Sequence, residues 1–110
     1  MVIGESTQGA AYVLQLSGAF DFKARTVFQD AIKKGQDSGG KRIVLDFQDV
    51  SFIDSSALGL LNLAAVALKK EDIELRMVNP KDTVLKILVL VNIQKTVPIF
   101  SNMEEALAGP

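Results

Sequence analysis

Cysteine and histidine are both absent from this 110-residue chain, and tryptophan is absent as well. Without cysteine the chain has no disulfide, no thiolate nucleophile and no cysteine-based metal site. Without histidine it also lacks the side chain that most often acts as a general base near neutral pH. The remaining options for catalysis are carboxylate, lysine or serine chemistry. We therefore expect a protein that is not an enzyme and that holds no metal and no cofactor.

Charge of one sign and long apolar segments are lacking too. Twelve Lys and Arg residues nearly balance thirteen Asp and Glu residues, which leaves a formal net charge of −1. Because basic residues never cluster beyond two neighbours, direct binding of nucleic acid is not expected. No apolar run approaches the length of a bilayer span, so membrane insertion is not expected. The first residues do not have the pattern of a signal peptide, which predicts a cytoplasmic location.

What the sequence does contain is an alternation of strand and helix patterns. Strands are predicted at residues 2–3, 11–16, 42–47, 73–78 and 96–100, and helices at 22–34, 56–70, 80–91 and 103–108. The order β-β-α-β-α-β-α-β-α predicts an α/β fold with a mostly parallel sheet. The first two strands add an antiparallel edge hairpin, which makes the β-sheet mixed. We interpret residues 1–110 as a single domain.

Turn-forming residues are predicted to separate these elements. Residues 17–19 are expected to end the second strand, Gly35 the first helix, and residues 48–49 the third strand. Asn79-Pro80 is expected to start the third helix, with Asn as the cap and Pro in the first helical position. Asn92 is expected to end that helix in a left-handed conformation.

The pattern is centred on residues 50–61, where an apolar strand runs into a helix through Asp54-Ser55-Ser56. Asp and Ser are preferred N-cap residues because their oxygens accept the backbone N–H groups of the first turn. A helix start also favours an added anion such as phosphate, because its N–H groups are free and partly positive. Local chemistry leaves two interpretations open: a cap alone, or a serine placed to accept a phosphoryl group.

The helix that follows has two different faces. The apolar face, predicted to pack on the sheet, carries Ala57, Leu60, Leu61, Ala64, Ala65 and Leu68. The opposite face, which has unusually little charge, carries Gly59, Asn62, Leu63, Val66 and Lys70. Single apolar residues on a surface are common. The alternative is a contact surface that is continuous with Ser55.

The third helix is apolar over more than one stripe. Its predicted core side chains are Val84, Ile87, Leu88 and Val91. Leu85 and Val89 lie beside that stripe, and exposed apolar patches usually mark interaction sites. We therefore predict that at least one of these two side chains is exposed or lies in a contact between chains.

These motifs, in this order, resemble the STAS family, and most closely its single-domain anti-sigma-factor antagonists. The resemblance spans nearly the whole chain and rests on Gly18-Ala19-Phe20-Asp21, residues 43–47, residues 50–59 and Asn79-Pro80. It implies a STAS-like fold and a partner-switching regulator. Such a regulator binds an anti-sigma factor that is also a serine kinase, and it is released when the kinase phosphorylates it. A phosphatase then restores the unphosphorylated form, and a weak homodimer is compatible with the family.

Carried over by this resemblance, Ser55 is the phosphorylation site. Asp21, Asp54 and Ser56 also match positions of the family motif, and together with Gly59, Asn62 and Leu63 of the uncharged helix face they are the predicted partner-binding residues. Two positions depart from the family pattern, because Ala57 and Asn92 stand where glycine is usual. Residues 50–61 contain no Lys or Arg, so a phosphate on Ser55 is expected to lack a neutralising partner within that stretch.

Two other functions remain as alternatives. The chain could be a STAS subunit of a lipid-transport or stress-sensing assembly in which Ser55 is not phosphorylated. An enzyme with Ser55 as nucleophile would need Lys69 or Lys70 as its base. Those lysines lie about 20 Å along the helix at 1.5 Å per residue, which disfavours this hypothesis.

Overall fold

The computed structural model describes residues 1–108, which form a five-stranded sheet with helices on both faces. The strands are β1 Val2–Gln8, β2 Ala11–Phe20, β3 Arg42–Ile53, β4 Glu74–Val78 and β5 Ile99–Phe100. The helices are α1 Arg25–Asp37, α2 Ser55–Lys69, α3 Asp82–Leu90 and α4 Met103–Leu107. Short 3-10 turns at Phe22–Ala24 and Ile93–Lys95 precede α1 and β5. The predicted α/β class and order of elements are confirmed.

The sheet has the strand order β1-β2-β3-β4-β5, with β1 antiparallel to β2 and the other neighbours parallel. The predicted antiparallel edge hairpin is therefore present, and β3 is the central strand. The apolar run of β3 explains its position, because Ile43, Leu45 and Phe47 are fully buried. Since β2, β3 and β4 are parallel, the segments that follow them emerge at the same edge of the sheet.

Buried side chains form one cluster on each face of the sheet. The larger cluster joins α1, α2 and α3 to the sheet through residues such as Phe28, Leu61 and Leu88. Phe20 packs within it, with its ring centroid 4.9 Å from that of Phe28. The smaller cluster places Ala106 of α4 against the opposite face. The whole predicted apolar face of α2 is buried, so this prediction is confirmed.

Two arginines fix α4 although this helix has only five residues. Arg42 Nη1 donates to the carbonyl of Leu107 at 2.8 Å, and Arg76 Nη1 donates to the carbonyl of Ala106 at 2.9 Å. Positive charge is favourable at a helix C-terminus, where carbonyl groups lack helical partners. These arginines therefore dock the end of α4 on the sheet.

Strands β2 and β3 are longer than predicted, because the expected breaks at residues 17–19 and 48–49 lie inside them. Register shifts occur between Gln15 and Ser17 and between Gly18 and Ala19. Bulges of this kind accommodate extra residues without ending a strand. The two predicted breaks are wrong, and the extension carries both strands on to the residues of the candidate site.

Gly35 does not end α1, contrary to the prediction, but lies buried within it. A Cβ atom at this position would approach Ile43 Cδ1 to 2.6 Å and Tyr12 Cδ2 to 3.3 Å. Glycine therefore allows α1 to approach the sheet closely here. Glycine is needed at position 35 for this close packing, and it does not end the helix.

The start of α3 also differs from the prediction. Asn79 has φ of +57° and donates its N–H to the carbonyl of Phe100, so it turns the chain while still pairing with β5. The N-cap residue is Lys81, which makes no side-chain cap hydrogen bond. The prediction that Asn79-Pro80 starts the third helix is therefore wrong. Asn92 adopts φ of 58° after α3, so its predicted left-handed conformation is confirmed.

Helix α3 buries less of its surface than predicted. Val84 and Leu88 are core residues, whereas Ile87 and Val91 are substantially exposed, so their predicted burial is wrong. Val89 is 47% exposed, which confirms the prediction for the flank of this helix. Within residues 1–108 no helix is long and apolar enough to cross a bilayer.

Candidate functional site

The candidate site lies where β2 and β3 end side by side. Phe20 and Ile53 are register partners, and the N–H of Asp54 donates to the carbonyl of Phe20 at 3.3 Å. Asp21 and Asp54 are the next residues along the two strands. Because neighbouring strands are about 5 Å apart, the fold brings these two carboxyl-bearing residues together.

Each of these carboxylates caps the helical turn that follows it. Asp54 Oδ1 accepts the N–H of Ala57 at 3.0 Å at the start of α2. Asp21 Oδ1 accepts the N–H of Lys23 at 3.0 Å at the start of the 3-10 turn Phe22–Ala24. The cap interpretation of Asp54 is therefore correct. In the described part of the chain, no three acidic side chains are grouped closely enough to hold a metal ion.

The two adjacent serines have different environments. Ser56 is half-buried, and its hydroxyl donates to Asp54 Oδ1 at 2.6 Å. Ser55 is exposed, and its hydroxyl makes no hydrogen bond to any of residues 1–108. A reactant approaching from solvent therefore meets a free hydroxyl on Ser55, whereas the hydroxyl of Ser56 is engaged.

These contacts also favour the ionised form of Asp54. The hydroxyl of Ser56 holds the pKa of Asp54 below its ordinary value of 3.8, although desolvation by burial acts in the opposite direction. The backbone N–H groups of Ala57, Phe22 and Ser56 lower this pKa further. The carboxylate is therefore ionised, and it links the start of α2 to the turn that follows β2.

Asp54→Ala is expected to destabilise the protein at neutral pH, and the difference from wild type should shrink in acid. Because the pKa of Asp54 is lowered by folding, its ionised form stabilises the folded state above about pH 3.8. This contribution is lost as the pH falls through the lower folded-state pKa. Urea unfolding at pH 7 and in acid measures the difference.

Asp54→Asn is the control, because asparagine also caps helices but does not titrate. An Asp54→Ala deficit that stays constant with pH would contradict this account.

The predicted contact face of α2 is exposed. Gly59 is open to solvent, because a Cβ atom built there would meet no other heavy atom within 4 Å. Leu63 and Val66 are 66% and 54% exposed. Asn62 is exposed as well, but its Oδ1 accepts the hydroxyl of Thr96 at 3.1 Å, so it also holds the segment before β5.

The structure adds Phe22, Phe52 and Arg25 to the site, none of which sequence reasoning had singled out. Phe22 is 66% exposed and Phe52 is 53% exposed, and both lie within two residues of a capping aspartate. A depression of about 330 Å³ is lined by Phe22, Arg25, Ser56, Gly59, Leu60 and Leu63. Exposed aromatic residues are enriched in protein interfaces. Phe22 belongs to the 3-10 turn before α1, and the buried face of that helix begins only at Phe28.

Comparison with known proteins gives consistent matches over most of the chain. The family model described as STAS domain matches residues 5–106. A STAS-domain containing protein of Pseudomonas aeruginosa (strain UCBPP-PA14) is 32% identical over 90 residues, covering 82% of this chain and 88% of that protein.

Two solved structures illustrate the shared fold. An anti-sigma factor antagonist from Mycobacterium paratuberculosis has a TM-score of 0.85 at 22% identity, covering 96% of this chain and 90% of its own. The Bacillus cell fate determinant SpoIIAA, solved in its phosphorylated form, has a TM-score of 0.72 at 21% identity, covering 96% of each chain.

Proposed function

This chain belongs to the STAS domain family, and we propose that it is an anti-sigma-factor antagonist controlled by phosphorylation of Ser55. In this proposal the unphosphorylated protein binds an anti-sigma factor that is also a serine kinase, in the cytoplasm. The supporting observation is the hydroxyl of Ser55, which is exposed and free of hydrogen bonds to residues 1–108 at the start of α2. Solved structures with this fold include SpoIIAA in both its phosphorylated and its unphosphorylated form.

The proposed modification requires a base on the partner. Ser55 Oγ attacks the γ-phosphorus of a nucleoside triphosphate bound to the kinase, and the bond to the leaving nucleoside diphosphate breaks. The hydroxyl proton passes to the kinase, because this chain contains no histidine and Asp54 Oδ1 already accepts two hydrogen bonds. A phosphatase returns Ser55 to its free form by transferring the phosphoryl group to water.

The surface around Ser55 suits a protein partner. Phe22, Phe52 and Leu63 expose large apolar side chains there, and Gly59 leaves room for close approach. Apolar and aromatic residues of this kind form the centre of many interfaces. Asp21 and Asp54 position the two turns that carry this surface, and we assign Ser56 and Asn62 to its border.

Gly59→Ala is expected to raise stability and to lower partner affinity. Alanine is favoured over glycine inside a helix by about 1 kcal/mol, and the new methyl group meets open space within the chain. The same methyl group would obstruct a partner packed on this face. Chemical denaturation and a binding titration measure the two effects.

Gly35→Ala is the matched control for the stability effect. Its methyl group would collide with Ile43, so this variant should lose stability although the change in helix propensity is the same. A Gly59→Ala variant that binds the partner as tightly as wild type would remove Gly59 from the proposed interface.

The proposed function is tested with tagged wild-type, Ser55→Ala and Ser56→Ala proteins purified from the native host. Captured complexes are incubated with ATP or with a non-hydrolysable analogue, and phosphopeptides are mapped by mass spectrometry. We expect ATP to phosphorylate wild type and Ser56→Ala on Ser55 and to release the captured kinase. Phosphate on Ser56, or capture of transporter subunits without phosphorylation, would contradict the proposal.

A further inference from the structure

Arg25 lies beside the start of α2 although it belongs to another element. It is the first residue of α1, and it lines the depression that Ser56, Gly59 and Leu63 form on α2. The pairing of β2 with β3 brings it there, because the turn after β2 runs next to the start of α2. A cation therefore faces a surface to which residues 50–61 contribute no Lys or Arg.

The guanidinium of Arg25 is available for binding. The Arg25 side chain is exposed and forms no ion pair or hydrogen bond within residues 1–108. The carboxylate of Asp54, in contrast, has hydrogen-bond partners at the start of α2, since its Oδ1 accepts the hydroxyl of Ser56 and the N–H of Ala57. Arg25 therefore lies at the site with its guanidinium unpaired in the part of the chain that the structure describes.

Gly59 connects the positions of Ser55 and Arg25, because it shares a helix face with Ser55 and a depression with Arg25. Ser55 and Gly59 are four residues apart on α2, so they lie one above the other on the same helix face. Gly59 has no side chain, and a Cβ atom there would meet no heavy atom within 4 Å. Since Arg25 and Gly59 line the same depression, a phosphoryl group on Ser55 and the guanidinium can meet above Gly59.

We propose that Arg25 binds the phosphoryl group of phosphorylated Ser55 and draws it over Gly59 into the depression lined by Phe22 and Leu63. Arginine suits this role because its planar guanidinium donates two parallel hydrogen bonds to phosphate oxygens. The pair covers the apolar depression, so phosphorylation changes the shape of the contact surface as well as its charge. This inference rests on the proposed phosphorylation of Ser55.

The other charged groups near Ser55 do not offer a phosphate on that residue a partner equivalent to Arg25. Asp21 and Asp54 repel the phosphate, and Lys23 is the remaining cation of the turn that follows β2. The Lys23 ammonium lies 6.0 Å from the ring centroid of Phe22, and Lys23 does not line the depression. Lys23 is therefore a matched control: it carries the same charge two residues away but lies outside the proposed phosphate site.

The test uses the full chain with phosphoserine installed at position 55 during translation. The phosphate is titrated by ³¹P NMR in the wild-type background and in Arg25→Gln, Arg25→Lys and Lys23→Gln. We expect the second pKa of the phosphate, ordinarily about 6, to be lower by about 0.5 or more with Arg25 present than in Arg25→Gln. Lys23→Gln should resemble wild type, and Arg25→Lys should lie between wild type and Arg25→Gln.

A second measurement follows the Leu63 methyl resonances, which should shift on phosphorylation in wild type and much less in Arg25→Gln. An unchanged phosphate pKa in Arg25→Gln, or an equal effect of Lys23→Gln, would overturn the inference. Circular dichroism of the unphosphorylated variants excludes a folding defect. Because the phosphoserine is installed without a kinase, absence of phosphate in the native host would contradict the proposed function and leave this measurement valid.

Discussion

Replacing Leu61 with alanine is expected to lower the free energy of unfolding by about 2–5 kcal/mol. Leu61 is fully buried in α2, in the larger of the two core clusters. Truncation removes apolar contacts and leaves a cavity that the surrounding helices and strands fill only partly. Urea denaturation followed by circular dichroism measures the loss.

Leu63→Ala is the matched control for this prediction. It makes the same chemical change in the same helix, but Leu63 is 66% exposed. Its effect on stability should stay within about 0.5 kcal/mol, as is usual for surface positions. Under the proposed function it should instead weaken partner binding. A loss below about 1 kcal/mol for Leu61→Ala, or equal losses for both variants, would contradict the assigned faces of α2.

The faces of α2 and the position of β3 could be predicted because both depend on local periodicity. The 3.6-residue repeat placed Leu60, Leu61 and Leu68 on one face, and all of them are buried. The continuous apolar run of β3 is typical of a strand that is covered on both faces, and Ile43, Val44 and Leu45 are fully buried. Such patterns depend only on residues that are close in the sequence, so they can be recognised without knowing the long-range contacts of the fold.

The element boundaries that were predicted wrongly depend on contacts between residues that are distant in the sequence. Turn-forming residues at 17–19 and 48–49 stay in strands because β2 and β3 pair through register shifts. Gly35 stays in α1 because Ile43 and Tyr12 lie against it. In each case a contact between distant segments overrides a local conformational preference. The spacing of residues in a single sequence does not reveal such a contact.

The same distinction applies to the candidate site. Asp54, Ser55 and Ser56 are consecutive, so a motif could reveal them together. Phe22 and Arg25 belong to a different element and reach α2 through the register of β2 on β3. The difference between the two serines also needed the fold, since it depends on which hydroxyl reaches the carboxylate of Asp54.

Under the proposed function, phosphorylation of Ser55 is expected to weaken binding of the proposed kinase partner by at least about 2 kcal/mol, which is about 30-fold in affinity, while the fold stays intact. The group adds about −1.5 to −2 charges at an exposed position beside Asp54 and Asp21. A partner packed on Phe22 and Leu63 would have to desolvate this anion or lose contact. Pairing with Arg25 does not remove the obstacle, because the phosphate then occupies the depression that the partner needs.

Titration calorimetry against the purified regulator measures this effect for wild type, phosphoserine at position 55, Ser55→Asp and Ser55→Ala, with circular dichroism as the folding control. Ser55→Ala should bind and resist release by ATP, because it leaves the contact surface intact and removes the acceptor. Ser56→Ala should remain phosphorylatable, since the hydroxyl that it removes is bonded to Asp54 and Ser55 keeps the free acceptor hydroxyl. Equal affinities of the free and phosphorylated proteins would refute the switch. Loss of phosphorylation in Ser56→Ala with an intact fold would show instead that the acceptor site needs both hydroxyls.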